Sequence, residues 1–187
     1  MKFDPHRHHR RSIRLRNHDY TQPGGYFITI VTHQRACLFG QIVNEEMQLN
    51  DYGRIADECW RAIPEHFPNV ELGTYVVMPN HVHGIIVINE NRTTMNSSSS
   101  VGAQHASPLS PHRVKPKSIG VIVGSFTSAV TRRIGRELNA TGIWQRNYYE
   151  HIIRDHKDWD RIHRYLESNP SRWVQDEENP NRLNATR

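Results

Sequence analysis

Two apolar runs, residues 72–78 (LGTYVVM) and 82–88 (VHGIIVI), meet across Pro79-Asn80. They read as two strands or as one strand with a break. A third run, residues 26–32 (YFITIVT), follows the turn signal Pro23, Gly24, Gly25 and is β-branched and aromatic throughout, so it reads as a strand. Residues 38–43 and 47–49 form a short hairpin pattern, with the turn at 44–46. Between these runs the period changes. Asn50 or Asp51 can cap a helix running to about His66, with Ile55, Cys59, Trp60 and Ile63 on one apolar face and Pro64 and Pro68 closing it. Ile119, Ile122, Val123, Phe126, Val130 and Ile134 recur at helical spacing. Residues 147–153 (NYYEHII) read as a strand. Asp155 or Asp158 then starts a last helix through about Ser168, ended by Asn169-Pro170. Strands interleave with helices, and neither a dinucleotide glycine fingerprint nor a Walker loop nor an internal repeat is present. The expected fold is therefore an α+β sandwich, one largely antiparallel sheet with two or three helices packed on it.

The chain has 187 residues, enough for one domain with a proper core. Residues 1–19 are basic and poorly periodic: Lys2, Arg7, Arg10, Arg11, Arg14 and Arg16 are opposed only by Asp4 and Asp19. This segment reads as an arm that orders against a partner. The domain is expected over 20–174. Residues 89–117, rich in Asn, Ser and Pro, read as a polar flexible insertion, and 175–187 as a polar tail. No window approaches eighteen consecutive apolar residues, so no membrane partner is expected. The basic N-terminus is not followed by the apolar stretch of a secretory signal. Two cysteines, Cys37 and Cys59, are too few for a disulfide scaffold and suit a reducing cytoplasm. The net charge of +5 favours a polyanionic partner.

Histidine is the compositional outlier, with 13 in the chain, well above ordinary usage. One pair stands at the head of an apolar run, His81-Val82-His83. On a strand, residues i and i+2 point to the same face. Both imidazoles would project together while Val82 faces the core, an arrangement that can chelate a divalent cation. At this histidine content the pattern is weak alone, and His6-Arg7-His8 is a second instance. A further element lies in the last helix, where Asp158, Trp159, Ile162, Tyr165, Leu166 and Asn169 recur at helical spacing. Tyr165 and Asn169 are i and i+4, one above the other. The bland reading is a core tyrosine before an Asn-Pro stop.

The string TYVVMPNHVHGIIVI (74–88), followed by WQRNYYEHIIRD (144–155) and RYLESNP (164–170), resembles the single-tyrosine HUH transposases, in the branch of the REP-associated tyrosine transposases and their relatives. RSIRLRNHDYTQPGGYFITIVTHQR (11–35) and Phe39-Gly40 also fit that branch. The likeness runs from about 11 to 174 and lapses across 89–117. It implies a ferredoxin-like HUH domain and an endonuclease and strand transferase for single-stranded DNA bearing hairpins. It implies Mg²⁺ or Mn²⁺ held by His81, His83 and Asn169, and Tyr165 as the nucleophile. Attack of the phenol on a phosphodiester would leave a 5′-phosphotyrosine and a free 3′-OH, and a later 3′-OH could reverse the link without ATP. Free tyrosine has a pKa near 10, so about one in a thousand is phenolate at neutral pH, and a nearby cation would favour that form. Tyr148 and Tyr149, beside Glu150 and His151, are rival nucleophiles.

The basic residues suit such a substrate. Arg11, Arg14, Arg16, Arg132, Arg133, Arg146 and Arg154 are the candidate phosphate contacts, and Trp144, Tyr148 and Tyr149 the candidate stacking platforms. A monomer is favoured over a homodimer, working in the cytoplasm and on the nucleoid when DNA is bound. The alternatives are a domesticated hairpin-binding protein, a replication-initiator or relaxase-like nickase, and a metal-binding protein without DNA function. The ligand set that the resemblance implies has no carboxylate, so the metal is expected to bind weakly until a DNA phosphate adds its own oxygens.

Overall fold

A computed structural model of the chain describes residues 19–90 and 118–182. Arg11, Arg14 and Arg16, nearly all of the basic arm, the polar segment 91–117 and the last five residues lie outside the described residues. The chain opens with strand β1 (Gly24–Val31), a 3-10 turn (His33–Arg35), the hairpin β2 (Gly40–Val43) and β3 (Glu46–Leu49), helix α1 (Asp51–Arg61) and a single helical turn, α2 (Ile63–His66). Strands β4 (Val70–Met78) and β5 (His81–Ile88) follow, then α3 (Ile119–Leu138), β6 (Tyr149–Ile153), α4 (His156–Ser168) and a closing 3-10 turn (Pro170–Gln175).

Four strands form one sheet in the order β4-β5-β1-β6, and each neighbouring pair is antiparallel. With the hairpin set aside, the run β1, α1, β4, β5, α3, β6 is the βαββαβ order of a ferredoxin-like sandwich. β1 and β5 are the two central strands. Pro79-Asn80 is thus a tight turn joining two strands.

The period-2 alternation of the central strands divides the molecule into two layers. Tyr26, Ile28 and Ile30 of β1 and Val82, Ile86 and Ile88 of β5 pack with Ile55 and Trp60 of α1 and Ile122, Phe126 and Val130 of α3 in the larger core. The other face carries Phe27 and Ile85, which pack with Ile162 and Leu166 of α4 in a smaller core. Trp60 is fully buried at the centre of the larger core, edge-on to Phe126 at 5.1 Å and stacked with Tyr75 at 5.9 Å. Gly84 makes room for it. A methyl group at Gly84 would collide with the Trp60 indole and lie 2.8 Å from Tyr75 Cβ.

Local chemistry explains the element ends. The Asn50 side chain accepts from Gly53 N at 3.0 Å and caps α1. Asp155 does the same for α4 through Asp158 N at 2.8 Å. The helix expected to run unbroken to His66 instead divides after Arg61, because Pro64 has no N–H to continue the ladder and restarts the helix as its own first turn. The β2–β3 turn holds Asn44 and Glu45 at positive φ, 51° and 64°, the twist that two-residue hairpins need. The strand expected from Asn147 begins only at Tyr149, since Asn147 is left-handed with φ 73°.

Gly84→Ala should lower stability by about 1–3 kcal/mol, the usual cost of an added methyl in a filled core. An unchanged urea midpoint would contradict the packing of Trp60 on β5.

Candidate metal and tyrosine site

β5 is flanked on both sides, and its register places His81 opposite Val31 of β1 and Met78 of β4, and His83 opposite Thr29 and Val76. Val82 is fully buried in the larger core, so both histidines face α4. Their ring centroids are 4.2 Å apart, and both side chains are buried.

Each ring is aimed by a hydrogen bond at Nδ1. Asn80 Oδ1 lies 2.8 Å from His81 Nδ1. The Asn80 amide is itself fixed, because its Nδ2 donates to the carbonyls of Arg35 at 2.9 Å and Glu178 at 2.7 Å. Asn80 Oδ1 can only accept, so His81 carries its proton on Nδ1 and turns a bare Nε2 into the site. That Nε2 is buried and has no hydrogen-bond partner. Thr29 Oγ1 lies 2.8 Å from His83 Nδ1. With the His83 proton also on Nδ1, Nε2 accepts the Tyr165 hydroxyl at 3.1 Å. Burial keeps both rings neutral. It pulls His83 down to about 3, and it lowers His81 well below the usual imidazole range, with help from His83 and Arg35.

α4 supplies the facing side. Tyr165 lies over His83 with ring centroids 5.4 Å apart and meets Phe27 edge-on at 6.1 Å. Burial, and then the Asp176 carboxylate, push its phenol up to about 12. One turn later Asn169 caps α4 and is almost wholly buried. Its Nδ2 donates to Asp176 Oδ2 at 3.3 Å, while its Oδ1 is buried without a partner. The orphaned His81 Nε2 and Asn169 Oδ1 are a nitrogen and a neutral oxygen donor. Together with His83 Nε2 they suit a divalent cation.

Asp176 is a residue beside the histidines that sequence reasoning missed. It ends the 3-10 turn after α4, and one ligand atom each from His81, His83 and Asp176 all lie within 4.8 Å of one another. The expected domain end at 174 falls inside this turn, and residues 175–178 return to the site. The ligand set expected to lack a carboxylate therefore has one beside it. No spacing rule announces a carboxylate eleven residues past a tyrosine. Only the Asn169-Pro170 stop hints that the chain turns there.

The other expected residues divide. A cleft of about 1480 Å³ opens over the site, and Arg146, Tyr148 and Tyr149 line it, as do Arg161 and Arg172, which sequence reasoning did not single out. Tyr149 is exposed, but the tyrosine hydroxyl bonded to His83 is that of Tyr165. Arg133 is a structural tie on the opposite layer, bridging Glu58 of α1 at 2.8 Å and Glu137 at 3.1 Å. Arg132 lines a separate, smaller groove beside α3. Trp144 packs its indole against Phe39 and Phe126, with Nε1 donating to Thr127 O at 3.2 Å. It is partly buried and lines the same smaller groove as Arg132 rather than the cleft over the site. Arg154 is exposed and does not line the cleft.

No family model matches the chain. An uncharacterized protein of Haemophilus influenzae is 43% identical over 176 residues, 94% of this chain and 96% of that protein. A second H. influenzae protein, which carries the name REP-associated tyrosine transposase, is 24% identical over 81% of this chain and 73% of its own length. Among solved structures, a REP-associated tyrosine transposase bound to a REP hairpin matches with a TM-score of 0.57 and 17% identity, over 86% of this chain and 74% of that one. The fold is similar to the HUH fold of that transposase. In sequence its named likeness is to the REP-associated tyrosine transposases, at 24% identity. No helix among the described residues is long and apolar enough to cross a membrane.

Asn80→Ala should destabilise the protein by about 1–3 kcal/mol by orphaning buried polar partners. It should also raise amide exchange across 176–178, and unchanged exchange there would show that Asn80 does not hold this segment.

Proposed function

We propose that the protein is a metal-dependent endonuclease and strand transferase for single-stranded DNA adjoining a hairpin, acting through a 5′-phosphotyrosine on Tyr165. The observation that carries this reading is the Tyr165 hydroxyl, 3.1 Å from His83 Nε2, beside two buried donor atoms that lack partners. A tyrosine, two neutral imidazoles and a carboxamide oxygen in one partly enclosed cleft form the set that phosphodiester transfer needs.

His81, His83 and Asn169 would hold a divalent ion, Mg²⁺ or Mn²⁺. When bound, it would draw charge from a phosphate oxygen and from the phenol. The chain's own residues do the rest. Burial leaves Tyr165 protonated without such a cation, so the nucleophile stays silent when the site is not loaded. Phe27 and His83 fix the ring from two sides, which aims Oη along one line. Tyr165 Oη forms a bond to phosphorus as the bond to the 3′ oxygen breaks, and that oxygen leaves as a hydroxyl. A 3′-OH attacking the phosphotyrosine reverses the step and joins strands. Arg146, Arg161 and Arg172 along the cleft favour the phosphate backbone, and exposed Tyr149 offers a face for a base. A related structure was solved with a REP hairpin, which supports hairpin-bearing DNA as the substrate class.

End-labelled hairpin DNAs with single-stranded flanks, incubated with Mn²⁺ and run on denaturing gels, test the reading. Wild type should give a covalent adduct, and Tyr165→Phe none. His81→Ala should lose more than about 100-fold, since outer-shell partners of a metal alone cost about 10–100-fold. An adduct that survives in Tyr165→Phe would transfer the role to Tyr148 or Tyr149, and binding without any adduct would leave a DNA-binding protein. Separately, Arg172→Ala should weaken hairpin binding evenly across sequences and reduce the salt slope by about 1. An unchanged slope would remove Arg172 from the backbone contacts.

A further inference from the structure

We infer that Asp176 is a fourth protein ligand of the metal, so that the site takes its ion before DNA arrives. This rests on the reading that His81, His83 and Asn169 form a divalent-cation site. Three observations support it. Ligand atoms of His81, His83 and Asp176 share a sphere of contacts no wider than 4.8 Å. His81 Nε2 and Asn169 Oδ1 are buried and unpartnered beside it. Both Asp176 oxygens are already oriented: Oδ2 accepts from Asn169 Nδ2 at 3.3 Å and Oδ1 from Glu178 N at 2.7 Å. Each carboxylate oxygen keeps a lone pair beyond the one used.

The segment that carries Asp176 is held in place from the histidine side. Asn80 Nδ2, from the same side chain that sets the His81 tautomer, donates to Glu178 O at 2.7 Å. Arg35 donates to Glu177 O at 3.0 Å and pairs with the Glu178 carboxylate at 3.1 Å. That pairing directs the Glu178 charge to Arg35 and leaves Asp176 as the carboxylate grouped with the histidines. Two imidazole nitrogens, an amide oxygen and a carboxylate oxygen would fill four positions of an octahedral ion and leave two for phosphate oxygens or water. Neutral ligands alone give a hard dication little electrostatic gain, and one anionic oxygen changes that. The expectation that metal affinity waits for DNA is then reversed.

The test uses the full chain, stripped of metal and free of DNA, titrated with Mn²⁺ by calorimetry and by the electron paramagnetic resonance of free Mn²⁺. Wild type should bind one ion at the site. Asp176→Asn, close in shape and checked for an unchanged thermal melt, should weaken binding by about tenfold or more, and Glu177→Gln on the same turn should not. The same loss should appear in an Asn169→Ala background, because a ligand acts directly. In a background with Cys37 and Cys59 replaced by serine, Asp176→Cys should bind Cd²⁺ with a thiolate-to-metal charge-transfer band that the same background with Asp176 intact lacks, a soft-ligand signature that a merely structural residue would not give. Equal Mn²⁺ affinity in Asp176→Asn would overturn the inference and leave the metal site standing on its other ligands. A loss that disappears in the Asn169→Ala background would also overturn it, reducing Asp176 to an orienting partner of Asn169. No Mn²⁺ binding by wild type would overturn both this inference and the metal reading beneath it.

Discussion

The register of β5 is the constraint on which everything else depends. One strand supplies the core with Val82, Ile86 and Ile88 and the site with His81 and His83. A slip of one residue would exchange the two sets, sending imidazoles into the aliphatic core and Val82 toward Tyr165. Such a slip is costly because β5 is pinned from both sides, to β1 and to β4. It would also bring a side chain to the place where Gly84 admits Trp60. Core packing and site geometry are therefore one decision, made by which residue on β5 faces the Trp60 layer.

The site then assembles from two layers of restraint. Hydrogen bonds at Nδ1 set the histidine rings, Asn80 for His81 and Thr29 for His83. The smaller core of Phe27, Ile85, Ile162 and Leu166 sets the height and rotation of α4, and with it Tyr165 and Asn169. Apolar packing brings the helix to the sheet, while polar bonds choose which atoms face each other. That division of labour holds the His81, His83 and Asn169 donors close together, though none of the three carries a charge.

Much of this was legible in the sequence, because the information was local. The i, i+2 spacing of His81 and His83 is a strand property, the i, i+4 spacing of Tyr165 and Asn169 a helix property, and Asn50 and Asp155 announce their helices by capping chemistry. What was not legible depended on distant partners. Arg133 looked like a free cation until Glu58, 75 residues earlier, took it up. Trp144 packs against Phe39 and Phe126 and lines a groove apart from the cleft over the site. Asp176 belonged by composition to a polar tail, and only the turn after Pro170 returns it to His81. Local spacing places side chains on a face, and tertiary folding decides what they meet there.

The Asn80 carboxamide has a consequence for how such a molecule comes into being. It binds the carbonyls of Arg35 and Glu178 and the ring of His81 at once, so one end of the sheet and a segment almost a hundred residues later share a single clasp. A ribosome that has released the sheet but not residue 178 has released a chain with that clasp half closed. The histidine ring lacks its full support, and the carboxylate of Asp176 has not arrived. The support of the histidine ring is therefore complete only after residue 178 has left the ribosome.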